Sequence, residues 1–109
     1  MLKRSDFRRT ERKGRRVSAE HFIVYARNNP FDSSRLGLTV SRKVGNAVVR
    51  NRYKRRVREI FRRNKADIAH GYDYVVIVRR PREENEPAFA TLRDELLKLF
   101  DKATRAKDT

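Results

Sequence analysis

The chain has 109 residues, with 29 Lys or Arg against 14 Asp or Glu and a formal net charge of +15. That length suits one small domain, residues 1–109, with a modest core, and that charge favours a polyanion as partner. Cysteine is absent, which excludes disulfides and thiolate zinc sites; the lack of a run of about 18 apolar residues excludes a spanning helix, and the basic start "MLKRSDFRRTERKGRR" lacks the apolar core of a signal peptide, so a cytoplasmic protein without membrane attachment is expected.

Ser5 and Asp6 suit a helix cap and Gly14 a stop, which predicts a short helix over 6–13 carrying Phe7. In "HFIVYAR", Phe22, Val24 and Ala26 alternate with His21, Ile23, Tyr25 and Arg27, a strand with apolar groups on both sides. "NNPFDSS" supplies turn chemistry. "RLGLTVSR" then puts Leu36, Leu38 and Val40 on one face and the small residues Gly37, Thr39 and Ser41 on a second face expected to be open.

A helix follows over about 47–64. At 100° per residue, Val49, Tyr53, Val57, Ile60 and Phe61 form one apolar stripe, while Asn51, Lys54, Arg55, Arg58 and Arg62 gather on the far side. Arg52, Arg56 and Arg63 make a second basic row beside the stripe. Residues 35–65 hold twelve basic side chains and one acid, Glu59, whereas residues 83–109 hold five basic side chains and seven acids. Solubility alone does not require such asymmetry; phosphate binding does.

"DYVVIVRR" is nearly continuously apolar from Tyr74 to Val78, as for a strand covered on both faces, and Pro81 ends it. Together the runs predict a sheet of three or four strands. From Ala88 to about Ala106, Phe89, Leu92, Leu96, Leu99, Phe100 and Ala103 recur at helical spacing, with Pro87 in the first turn. Glu83, Glu84 and Glu86 ahead of this helix, and Lys98, Lys102, Arg105 and Lys107 towards its end, complement its dipole.

A helix-turn-helix DNA reader needs a helix where "RLGLTVS" is strand-like, so RNA fits better. Phe7, Phe22 and Tyr25 are candidates for stacking on unpaired bases, with core packing the competing role for Phe22. His21 and His70 fall in different elements with no obvious shared site, no Gly-rich phosphate loop occurs, and Glu83, Glu84 and Glu86, which could bind a metal, are explained more simply by their place before a helix. Gly45 marks the strand-to-helix junction, where a backbone closed to other residues would let helix-end amides approach a phosphate. A structural RNA-binding protein such as a ribosomal protein, and a DNA-binding architectural protein, are the competing classes.

The run "SRKVGNAVVRNRYKRRVRE", preceded by "RLGLTVS", closely resembles the signature of the protein subunit of bacterial ribonuclease P, with Arg50, Asn51 and Arg52 as its Arg-Asn-Arg core. "LKRSDF", "HFIVY" and "DYVVIVRRP" extend the likeness over most of the chain. The resemblance implies an α/β (α+β) two-layer sandwich: helix, strands, helix, strand, helix, with a small four-stranded sheet and a left-handed βαβ crossover. It implies an endoribonuclease subunit that assists a catalytic RNA in removing the 5′ leader from precursor tRNA. Magnesium ions would be held mainly by RNA, and the protein would be a monomer with no catalytic residue. It assigns Arg50, Asn51, Arg52, Lys54, Arg55 and Arg58 to RNA binding, and Arg62 on the same helix and Lys43 ahead of it are expected to join them. A cleft between that helix and the sheet would bind the leader through Phe7 and Tyr25. Glu11 departs from the family pattern, standing where a second aromatic or apolar residue is common, so leader contacts along the first helix are expected to be weaker or differently arranged.

Overall fold

A computed structural model of the protein describes residues 2–82 and 85–105. Its elements run α1 (Arg4–Lys13), β1 (Arg15–Ser18), β2 (Phe22–Asn28), β3 (Arg35–Thr39), α2 (Ala47–Arg63), a 3-10 turn (Lys65–Asp67), β4 (Tyr72–Val78) and α3 (Phe89–Thr104). The four strands form one mixed sheet in the order β1-β2-β4-β3, with β3 parallel to β4 and the other pairs antiparallel. The α+β architecture is as expected.

Strand register sorts the side chains between two layers. Phe22, Val24 and Ala26 pair with Val78, Val76 and Tyr74, and Leu36 pairs with Tyr74, so all of these share one face. On that face lie the apolar stripes of α2 and α3, which bury Tyr53, Val57, Ile60, Phe61, Leu92, Leu96, Leu99 and Phe100. Each of the three buried leucines of α3 contributes on the order of 1.5–3 kcal/mol. Phe61 meets Tyr74 and Phe100 edge-on at 6.1 and 5.9 Å. Phe22 belongs wholly to this core.

On the opposite face, α1 lies across β2 and β4. It begins two residues earlier than the caps suggest: Ser5 and Asp6 are inside its first turn, and Lys3 precedes it without a side-chain cap. Asp6 instead reaches Arg35 on β3 at 3.5 Å. Gly14 does end the helix, in extended backbone, because any Cβ there would lie 2.4 Å from the Thr10 carbonyl oxygen and 2.9 Å from that of Ala26.

Three further departures have local causes. β1 has no apolar alternation to announce it, since Arg15, Arg16 and Ser18 are exposed and pairing with β2 alone makes it a strand. Gly37 is not open: the Phe7 ring sits where its Cβ would be, at 2.5 Å. α3 starts at Phe89, leaving Pro87 ahead of it, and ends at Thr104; Glu83, Glu84, Ala106 and Lys107 lie outside the described residues. No helix among the described residues is long and apolar enough to cross a membrane.

Candidate nucleic-acid interface

Asn46 fixes the start of α2, its side-chain oxygen accepting the Val49 N–H at 3.0 Å. Beside it, a Cβ on Gly45 would lie 3.0 Å from the Val49 side chain, so any larger residue at the strand-to-helix junction would press on the first turn of α2. From this anchor, successive residues turn by about 100°, so Arg50, Asn51 and Arg52 point in three directions. Arg50 is half-buried and donates through Nε to the Gly45 carbonyl at 3.2 Å. Asn51, Arg55 and Arg58 are exposed on the outward face and Lys54 is half-buried. Among the described residues, Arg50, Lys54, Arg55 and Arg58 form no salt bridge, although 29 cations and 14 acids share the chain.

Other cations on α2 are already paired. Glu59 takes Arg62 at 2.5 Å and Arg63 at 3.5 Å along the helix. Glu86 takes Arg52, with Nη2 at 2.6 Å from Oε1 and Nε at 3.0 Å from Oε2, and also Arg56 at 3.3 Å. The Glu86 carboxylate therefore serves α2 and not the dipole of α3, whose first turn has no side-chain cap. Hydrogen bonding to Glu86 raises the Arg52 pKa further, so its charge is permanent.

Phe7 and Tyr25 stand elsewhere. Tyr25 pairs with Val75, and Val75 with Gly37, so the three residues form one row on the face opposite α2, with the Phe7 ring over Gly37. Burial of Tyr53, Val57, Ile60 and Phe61 closes the space between that helix and the sheet except at the helix start, where Val49 and Tyr53 line a cavity of about 270 Å³ that neither Phe7 nor Tyr25 lines. Open surface lies instead on the α1 side, where Ile23 and Ile77 are half-buried and Thr39 is exposed in the next row. Exposed Ser41, Arg42 and Lys43 then lead from the end of β3 to α2, joining this surface to the helix start.

Beneath α1 is an ion cluster the sequence did not single out. Asp73, fully buried, accepts from Arg35 Nε at 2.8 Å, Arg35 Nη2 at 2.7 Å and Asn29 Nδ2 at 2.9 Å, with Arg27 at 3.8 Å. Burial alone would raise the Asp73 pKa, but these hydrogen bonds and the two guanidinium charges hold it below the ordinary carboxylate value. Its only sequence signal is an acid inside an otherwise apolar strand.

His21 and His70 are far apart in role. The His21 ring nitrogen meets Glu95 at 2.7 Å, and the same carboxylate accepts the backbone N–H groups of His21 and Phe22, which ties α3 to the start of β2. His70 is exposed beside the Lys65 carbonyl. Among the described residues no three His, Asp or Glu side chains gather as a metal would require. His21 is thus paired with a carboxylate, but that carboxylate also caps two backbone N–H groups, a fastening role between α3 and β2.

Comparison with known proteins decides which polyanion binder this is. The family model for ribonuclease P matches residues 1–104. The chain belongs to the ribonuclease P protein family. Curated relatives named ribonuclease P protein component include those of Thermotoga maritima, 46% identical over 89% of this chain and 85% of that one, and of Desulforapulum autotrophicum, 42% identical over 97% and 89%. A solved RNase P protein from Thermotoga maritima, in complex with 1-(4-fluorophenyl)-2-thiourea, superposes with a TM-score of 0.88 at 44% identity, covering 98% of this chain and all of that one. An RNase P protein from Staphylococcus aureus gives 0.83 at 37% identity, covering 95% and 94%. As a ribonuclease P protein, the chain is a subunit of an endoribonuclease holoenzyme that works with an RNA partner in processing the 5′ end of tRNA. The ribosomal and DNA-architectural readings fall away.

Proposed function

We propose that the chain binds a catalytic RNA through α2 and holds the 5′ leader of precursor tRNA on the α1 side of the sheet. The observation that carries this reading is the outward face of α2, where Arg55 and Arg58 are exposed and have no carboxylate partner among the described residues. Like charges at i,i+4 repel by a few tenths of a kcal/mol each, and RNA phosphates relieve that repulsion while releasing condensed counterions. Arg50, Asn51, Arg52 and Lys54 extend the contact around the helix start, and Lys43 links it to the sheet. Arg62, paired with Glu59, stands at its distal end.

Phe7 and Tyr25 supply aromatic surface for leader bases. Glu11 is exposed on α1, and its charge weakens phosphate contacts along that helix. The catalytic centre belongs to the RNA, and magnesium ions belong mainly with RNA phosphates. Glu59 and Glu86, the acids paired with α2 cations, are engaged by arginines. The protein acts as a cytoplasmic monomer.

Reconstitution tests the reading. Protein added to bacterial catalytic RNA and precursor tRNA at low magnesium is expected to raise cleavage and substrate affinity; no gain in either overturns it. Tyr25→Ala is expected to reduce affinity for leader-bearing substrate more than for mature tRNA, and equal losses would remove Tyr25 from the leader site.

A further inference from the structure

The geometry points to a phosphate-binding fork formed by Arg52 and Arg56, occupied in the free protein by the chain's own Glu86 carboxylate, which RNA must displace. This rests on the reading of α2 as the RNA-binding helix.

Arg52 and Arg56 are one helical turn apart and project to the same flank of α2. Glu86 bridges them: Arg52 grips both of its oxygens and Arg56 binds Oε2 at 3.3 Å. A planar guanidinium takes two oxygens of a phosphodiester in the same way as two oxygens of a carboxylate. The carboxylate therefore stands where one RNA phosphate would fit, with the same charge of −1.

The surroundings favour an anion from outside. A cavity of about 270 Å³ adjoins the fork, and among the described residues its wall brings the cations Lys43 and Arg80 to the acid that Arg52 and Arg56 hold, Glu86. Among the described residues, neither Lys43 nor Arg80 has a carboxylate partner. Glu86 is also releasable. Side-chain exposures of 41% for Arg52, 29% for Arg56 and 25% for Glu86 leave the ion pair open to water. Its strength is that of a screened surface pair, and a multivalent RNA held by the rest of α2 can outcompete it.

In the free protein the carboxylate keeps both guanidiniums ordered and lowers the attraction of this flank for any passing polyanion. An RNA that fits all of α2 displaces Glu86; one that touches the fork alone gains little. Glu86 is thus a specificity-determining competitor, and Arg56 joins the RNA-binding set.

The test uses the full chain and measures affinity for the catalytic RNA at fixed salt. Glu86→Gln is expected to bind about threefold to fivefold more tightly, the scale of a half-exposed ion pair. Asp94→Asn, which removes an equal charge from an exposed site on α3 that takes no part in the fork's ion pairs, is expected to bind as the parent does. In an Arg52→Ala/Arg56→Ala background, which itself binds more weakly, the gain from Glu86→Gln should vanish.

A Glu86→Gln affinity no higher than that of Asp94→Asn overturns the inference, and so does an equal gain with and without the fork. If the fork substitutions leave RNA affinity unchanged, the fork does not touch RNA and the inference falls; if Arg55→Ala and Arg58→Ala leave it unchanged as well, the reading of α2 itself fails. Circular dichroism of each variant separates binding losses from unfolding.

Discussion

Arg35 and Arg55 carry the same guanidinium, and nothing in their chemistry marks one as structural and the other as functional. Arg35 donates two hydrogen bonds to the buried Asp73, which also draws Arg27 and Asn29, and it reaches Asp6 on α1. Arg55 projects from α2 with no carboxylate partner among the described residues. The difference teaches that a cation's role in this protein follows from the acid placed beside it. Around Asp73, charge is consumed in fastening α1 to the sheet. Along α2, much of it has no carboxylate partner among the described residues and is open to an anion from outside.

The comparison is broken most directly at Asp73. Asp73→Ala leaves Arg35 and Asn29 without their acceptor and is expected to cost about 2–4 kcal/mol in urea unfolding, below the full value for a buried pair because the two arginines are about a quarter exposed. RNA affinity of the folded fraction should stay within about twofold, as for a site outside the phosphate contacts. A binding loss without a stability loss would invert the assignment.

The same residue carries a pH signature. Its folded pKa lies below its unfolded value, near 3.8, so its contribution to stability is fully present above that value and is lost as pH falls through the folded one. Acid unfolding should therefore steepen below about pH 4 in the parent and be less steep there in Asp73→Asn.

Gly37→Ala comes next. The added Cβ would lie 2.5 Å from the Phe7 ring, and overpacking of this kind costs about 1–3 kcal/mol. An accompanying loss of affinity for leader-bearing substrate would place Phe7 on both sides of the comparison, as packing and as binding surface. Unchanged leader affinity would make it packing alone.

Smaller effects belong to α2. Arg55→Ala and Arg58→Ala are each expected to weaken catalytic RNA binding about 3- to 10-fold and to lower the salt slope by about one, with urea midpoints unchanged. Smallest is Glu59→Gln, which frees the exposed Arg62 and Arg63. It should cost no more than about 0.5 kcal/mol of stability. Tighter RNA binding by that variant would sharpen the rule that acids decide which cations are available.

α2 was legible before the fold was known because its information is local: a 3.6-residue period separates Val49, Tyr53, Val57, Ile60 and Phe61 from Arg55 and Arg58, and Gly45 marks the junction before it; the Asn46 cap was found only in the structure. The strands with apolar runs were legible for the same reason. β1 was not, since Arg15, Arg16 and Ser18 become a strand only by pairing with β2. Nor was the place of Phe7 and Tyr25, because which face of the sheet α1 covers depends on packing between segments distant in sequence.

Composition, periodicity and the Arg-Asn-Arg signature by themselves determined that this is a basic α+β protein of the ribonuclease P family with one strongly cationic helix. Only the tertiary structure decided which cations remain available. Ion pairs such as Glu86 with Arg52, or Asp73 with Arg35, join residues 34 and 38 positions apart, and Coulomb attraction depends on distance in space, which the order of residues along the chain does not state.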